Sequence, residues 1–393
     1  MKSLIYLDNA ATTQMYPEVL DVMLPYLKEC YGNPAAIYSL AGTSAKAVAV
    51  AREQIAKLIN ARREEIYFTG GGSESDNWAL KAVAEGFCSK GKHIITTKIE
   101  HHAILHTCEY LEKRGFEVTY VDVDEQGVVK PEKLREAIRP DTILISVMAA
   151  NNEIGTLQPL KEIGQLAREK GILFHTDAVQ AFGHIPLDVE DLQIDLLSAS
   201  GHKLHGPKGV GILYIRRNVK LTSFIHGGAQ ERHMRAGTLN VPAIVGLGKA
   251  AEMAALKMEE NGQQIAALRD YLIDRVLAEI PYCRLNGSRE RRLPGNASFC
   301  FSFIEGESLL IMLNQQGICG SGGSACTTGE TEASHVLMAI GVPQEEAKGV
   351  IRLTLSEMTT KEEIDITVEK LKELTEKLRS MSMEYEDFLK RQS

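Results

Sequence analysis

The run ILFHTDAVQAFGHIPLDVEDLQIDLLSASGHKLHGPKGVGILYI, residues 172–215, decides the fold. Its three apolar segments, ILFHT (172–176), DLLSAS (195–200) and GVGILYI (209–215), are each too short for a helix and read as buried strands. Upstream the same pattern repeats in IYFT (66–69), HIITT (93–97), VTYVDV (118–123) and TILISVM (142–148). Amphipathic helical runs separate the strands from about residue 45 to residue 216, so a helix is expected between successive strands. That alternation predicts an α/β protein with a mainly parallel, seven-stranded sheet flanked by helices. Further on, 241–280 reads as one long helix, and after Pro281 shorter strands such as SFCFSF (298–303) and VIRLTL (350–355) mix with helices as a smaller α+β domain. From Lys361 onward the chain reads as an amphipathic helix and a charged tail.

Composition narrows the function. The chain has 393 residues, 44% of them hydrophobic and 24% charged, which is ordinary for a globular protein with a deep core. With 44 basic against 52 acidic residues the net charge is -8, which argues against a nucleic-acid partner. The first residues, MKSLIYLDNAATT, reach Asp8 after an apolar run too short for a signal peptide or a spanning helix, so no membrane partner and a cytoplasmic location are expected. Seven scattered cysteines without a CxxC pair fit reduced thiols and no structural zinc site.

In open α/β sheets ligands bind beyond the carboxyl ends of the strands, so the loops there are read first. ILFHT is followed by Asp177 and Gln180, and DLLSAS by Gly201, His202 and Lys203. A lysine in a dry pocket is an amine nucleophile, although a structural ion pair has the same appearance in sequence. IYFT is followed by GGGSESDNW, whose glycines and Ser73 form either a phosphate cradle or a plainly capped turn. GHKLHGPKG is no phosphate-binding loop of the nucleotide-hydrolase kind, because the spacing fails at Pro207 and no serine or threonine follows Lys208. His102 and His106 stand four apart, but without a clear third ligand a metal is not expected; an aromatic ring offered to a flat cofactor is the better role for a histidine here, His101. Gly72, Ser73, Lys203, Asp177 and His101 together make the set that pyridoxal 5'-phosphate needs: a cradle, an amine, an acid for the ring nitrogen and a stacking partner. Cys326 sits in SGGSACTTGE (321–330), among glycines and threonines that suit a mobile loop, either by accident of composition or as a nucleophile.

YLDNAATT (6–13), GNP (32–34), GSESDN (72–77), NNEIG (151–155), HTDAVQ (175–180), SGHKLHGPKG (200–209), RAGT (235–238), SACTTG (324–329) and IRLTL (351–355) together resemble the cysteine desulfurases of the NifS and IscS group, class V aminotransferase-like proteins of pyridoxal phosphate fold type I. The resemblance runs in order over nearly the whole chain. It implies a large cofactor-binding domain at 15–255 and a small domain from 1–14 and 256–393, which includes the catalytic-cysteine loop at about 319–332. It implies that Lys203 holds the cofactor, Asp177 the ring nitrogen and Gln180 the phenolic oxygen, and that His101 stacks on the ring and shuttles protons. Gly72, Ser73, Ser200 and His202 would hold the phosphate, joined by Thr238 from the other subunit of a homodimer. Asn152 and Arg352 would bind the substrate carboxylate, and Cys326 would accept sulfur from L-cysteine as a persulfide, releasing L-alanine. A sulfur-acceptor protein, such as an iron–sulfur scaffold, would be the further partner. Relatives that share the scaffold as selenocysteine lyases, aminotransferases or catalytically silent sulfur carriers are the alternative readings. Tyr38 and Ala41 depart from the group's usual histidine and glycine, Ala333 stands where a proline is common, and Thr327 and Thr328 replace frequent serines.

Overall fold

The computed structural model describes residues 4–323 and 333–392. Its strands are β1 (Ile5–Tyr6), β2 (Ile66–Thr69), β3 (His93–Thr97), β4 (Glu117–Val121), β5 (Thr142–Ser146), β6 (Leu173–Asp177), β7 (Leu196–Ser200), β8 (Gly211–Ile215), β9 (Cys283–Leu285), β10 (Asn296–Phe301), β11 (Ile318–Cys319) and β12 (Val350–Thr354). The central sheet has seven strands in the order β2-β8-β7-β6-β5-β3-β4. The β3/β4, β3/β5, β5/β6 and β6/β7 ladders are parallel, whereas β8 runs antiparallel to both β7 and β2. All seven expected strands are present, each within two residues of its expected ends.

Two expectations are corrected. No helix joins β6 to β7, because Gly183 and Pro186 interrupt the stretch and it runs as turns. Nor does one join β7 to β8: the ten intervening residues are too few for a crossover and carry Gly206, Pro207 and Gly209, so β8 returns antiparallel.

Alternation along each strand supplies two faces. Ile95, Ile145, Phe174, Leu197 and Ile212 join one buried apolar cluster, and their neighbours Ile94, Leu144, Leu196 and Leu213 join another on the opposite face. The helix Val241–Glu279 leaves the first cluster through Ala250 and Ala251 and enters a third at Ile265. That third cluster gathers Ile5 and Leu7 with Phe299, Ile351 and Leu371 around the sheet β12-β10-β9 and the pair β1/β11. Neither β1 nor β11 is visible in the sequence, since two residues carry no periodicity. The tail forms two helices, Lys361–Arg379 and Met383–Gln392. Among the described residues no helix is long and apolar enough to cross a membrane.

Candidate active site

Because β2, β3, β5, β6 and β7 all point the same way, their carboxyl ends gather along one edge of the sheet. A cavity opens there, and Gly72, His101, Asp177, Gln180, Ser200 and Lys203 are among the residues that line it. Ser73, Asn152, His202 and Arg352 line it as well. The structure thus brings together every expected site residue but two. Thr238 is exposed and is absent from the lining of this chain's own cavity. Cys326, with Thr327 and Thr328, lies outside the described residues.

Asp177 is the last residue of β6, and its Oδ1 accepts a hydrogen bond from the Val179 amide at 2.9 Å. Burial pushes its carboxyl up to about 6, opposed by that amide and by the charge of Lys203. Lys203 ends the single turn Gly201–Lys203 that follows β7, and its Nζ donates to the carbonyls of Ala10 and Ala11 at 2.6 and 2.7 Å. Gln180 Nε2 donates to the same Ala10 carbonyl at 3.0 Å. The N-terminal segment is therefore stitched across the strand ends by the side chains it will share a site with.

His101 is the N-cap of the helix His102–Glu112 and its Nδ1 accepts from the Ala103 amide at 3.1 Å, which leaves the ring proton on Nε2. Burial first, then the charges of His102 and Lys203, push this imidazole down to about 4. His202 is pushed down to about 4 by burial and by Lys203 and Lys208, and its Nδ1 lies 3.2 Å from Thr12 Oγ1. Both rings are neutral at neutral pH. The rings of His102 and His106 stack 4.9 Å apart, and among the described residues no cluster of three or more side chains has the arrangement to hold a metal ion.

At the other end the helix Gly72–Phe87 starts directly after β2. Its first amides have no partner within the helix and are available to an anion. Gly71 precedes the helix with φ of 149°, a conformation that favours glycine. A Cβ on Gly72 would come within 2.5 Å of Val179 Cγ2, so a larger residue here would have to displace the Val179 side chain on the β6 loop. Ser73, Ser200, His202 and Lys208 surround the adjoining hollow. A row of amides, two hydroxyls and a lysine is a donor set suited to a phosphate.

The remaining wall comes from far along the chain. Arg352 on β12 is buried; its Nη1 donates to the Asn152 carbonyl at 2.8 Å, and its Nη2 to Asp8 Oδ1 at 3.2 Å and Ser321 Oγ at 3.1 Å. Its Nε has no hydrogen-bond partner. That N–H is sealed from solvent, but the guanidinium as a whole lines the cavity, and its planar fork of donors suits an incoming carboxylate. Asp8, Ser321, Asp76 and the carbonyls of Ala10 and Ala11 had been given no role. Their signal in the sequence is faint: YLDNAATT has neither strand nor helix periodicity, and Asp76 sits in GGGSESDNW, a run read as a phosphate cradle or a capped turn on its glycines and Ser73 alone.

The fold is that of the class V aminotransferases, whose family model, described as Aminotransferase class-V, matches residues 5–367. The chain is 56% identical over 378 residues to a protein named Cysteine desulfurase IscS from Methanosarcina thermophila, covering 96% of this chain and 93% of the relative. A Cysteine desulfurase IscS from Clostridium botulinum (strain Hall) is 53% identical over 392 residues, with 99% of each chain covered. Among solved structures, one titled as a NifS-like protein superposes with a TM-score of 0.90 at 41% identity, covering 96% of this chain and 100% of that one. Another, titled SspA in complex with cysteine, has a TM-score of 0.81 at 38% identity, covering 91% and 100%. The chain belongs to the cysteine desulfurases of the class V aminotransferase family, with the mostly parallel seven-stranded sheet of pyridoxal phosphate fold type I.

Proposed function

We propose that this chain removes sulfur from L-cysteine with pyridoxal 5'-phosphate bound in the cavity at the strand ends, leaving L-alanine and a persulfide on Cys326. The observation that carries this reading is the convergence of Lys203, Asp177, His101 and Arg352 on one cavity with a phosphate-suited helix start at its end. When bound, the cofactor supplies an electron sink for the bonds broken at the substrate.

Lys203 would attach the cofactor, and its present hydrogen bonds to the Ala10 and Ala11 carbonyls show where the amine rests. Asp177 would pair with the ring nitrogen, and Gln180 would approach the phenolic oxygen. His101, neutral and fixed at Nδ1, would lie over the ring and move a proton at Nε2. The amides of Gly72 and Ser73 with Ser73, Ser200 and His202 would hold the phosphate. Arg352, with Asn152 beside it, would hold the substrate carboxylate. The Cys326 thiolate would form a bond to the substrate sulfur as the carbon–sulfur bond breaks, and the sulfur would pass on to an acceptor protein of iron–sulfur cluster or thio-cofactor assembly.

A homodimer is part of the proposal, with Thr238 completing the partner's phosphate site. Thr238 is exposed, and the exposed Leu27, Tyr31, Ile37 and Tyr38 are apolar surface of the kind a second copy covers. We also propose the division into a large domain at 15–255 and a small one from 1–14 and 256–393, supported by the apolar cluster that joins Ile5 and Leu7 to Ile265 and Leu371. The six described cysteines are all free, which suits the cytoplasm.

The deciding experiment measures L-alanine release from L-cysteine, with a reductant, by the wild type and Cys326→Ala side by side. Alanine from the wild type alone is the expected result. Alanine from both would remove Cys326 from the reaction, and alanine from neither would overturn the desulfurase reading.

A further inference from the structure

Asp76 lies one turn inside the helix Gly72–Phe87, lines the cavity together with Asp177, and is 1% exposed. Its Oδ1 has no hydrogen-bond partner. Among the described residues its one ion-pairing approach is 3.7 Å to Nε2 of His175, beyond hydrogen-bond reach. That ring is already engaged, with Nδ1 2.9 Å from Ser146 Oγ and Nε2 3.0 Å from Ser198 Oγ. Burial pushes it down to about 3, so it carries no charge to offer Asp76. The other titratable groups facing Asp76 are Asp177 and Glu100, both acids. An ionised Asp76 would be a buried anion with no cation, an arrangement that costs several kcal/mol.

We propose that Asp76 is a positioning residue that stays a neutral acid beneath the cavity, holding the one proton of a carboxyl pair with Asp177, so that Asp177 alone turns negative charge toward the bound ring. The last clause rests on the cofactor reading above; the place of the proton does not. Two like charges cannot both ionise in a dry site, so the better-supported one ionises first. Asp177 has the Val179 amide and the charge of Lys203 on its side. Asp76 has the Ser198 hydroxyl against burial and two neighbouring acids, and is held well above the usual carboxylate range. Were Asp76 to lose its proton, Asp177 would be driven to take one up, and the ring nitrogen would face no anion.

The test is infrared spectroscopy of the cofactor-free protein at neutral pH, with every aspartate labelled with carbon-13 at its side-chain carboxyl, so that Glu100 gives an unlabelled band. A labelled carboxylic-acid carbonyl band in the wild type that is lost in Asp76→Asn is the expected result. A band unchanged by the substitution, or no labelled acid band in the wild type, would overturn the proposal. Should Asp76→Asn not fold, the labelled wild type decides: the acid band persists as pH is raised past the ionisation of Asp177 if Asp76 holds the proton, and vanishes with Asp177 if it does not. Asparagine also imitates a neutral acid, so Asp76→Asn should bind pyridoxal 5'-phosphate within about threefold of wild type with the same absorbance maximum. Asp177→Asn should shift that maximum, and an equal shift in Asp76→Asn would contradict the assignment. If the wild type itself takes up no pyridoxal 5'-phosphate, the cofactor reading fails while the infrared band still reports where the proton sits.

Discussion

The two sides of the cavity solve the burial of polar groups in opposite ways. On the floor, along β3, β5, β6 and β7 toward their carboxyl ends, polar groups are kept neutral: His175 is bracketed by the Ser146 and Ser198 hydroxyls, and Glu100 takes the Met148 amide and the Thr97 hydroxyl. Opposite, Asp8, Ser321 and the Asn152 carbonyl surround the outer edge of the Arg352 guanidinium. A floor of neutral groups lets one lysine and one carboxylate dominate the local field, since each is worth more where little else is charged. A wall with a compensated guanidinium can hold an anion and release it, because Asp8 already offsets part of its charge.

Four substitutions probe this contrast. Lys203→Ala removes the floor's amine and should lower L-alanine release by at least about a thousandfold, read in a steady-state assay. Unchanged release would remove Lys203 from the chemistry. On the wall, Arg352→Lys keeps the charge and loses the planar fork, so KM for L-cysteine should rise roughly 10- to 100-fold, as befits lost charge-assisted hydrogen bonds. An unaltered KM would place the substrate carboxylate elsewhere. Asp8→Asn should be milder, with KM changed by about threefold to tenfold and kcat nearly kept, because it loosens the guanidinium without removing it. An effect on kcat as large as that of Lys203→Ala would mean that Asp8 belongs with the floor.

The smallest effect at neutral pH, and the one specific to the floor, concerns Glu100. Burial raises its carboxyl from 4.5 to about 8, against the hydrogen bonds from Thr97 and Met148. Between those values the folded protein holds a proton that the unfolded chain has lost, so stability falls as pH rises through the window and is greatest below it. In thermal melts of the cofactor-free protein, Glu100→Gln should flatten that decline, a difference on the order of a few kcal/mol across the range. The histidines act in the opposite sense. His101, His175 and His202 are held below 6.5, so their contribution to stability is lost as pH falls from 6.5 toward 4. A melt profile unaffected by Glu100→Gln would show that the floor tolerates charge after all.

The floor was legible in the sequence because strand-end residues follow strands by one or a few positions. Once ILFHT and DLLSAS are recognised, Asp177, Gln180, His202 and Lys203 are placed by chain connectivity alone. The wall was not legible this way. Arg352 and Asp8 are 344 positions apart, and Ser321 meets Arg352 across an isolated bridge that no local periodicity announces. Only the resemblance to the NifS and IscS group pointed to Arg352, and it gave Asp8 no role.

By itself, the sequence determined the seven strands and the long helix Val241–Glu279, because apolar period and the placement of glycine and proline are local properties of the chain. Motifs in chain order determined the family. Tertiary structure decided that β8 runs antiparallel, that residues 5–12 return to cross the strand ends, and that Asp76 lies buried beside the cavity with its Oδ1 unpartnered. Each of these depends on which distant surfaces meet when the core closes, and that is set by long-range packing, which no short window of residues contains.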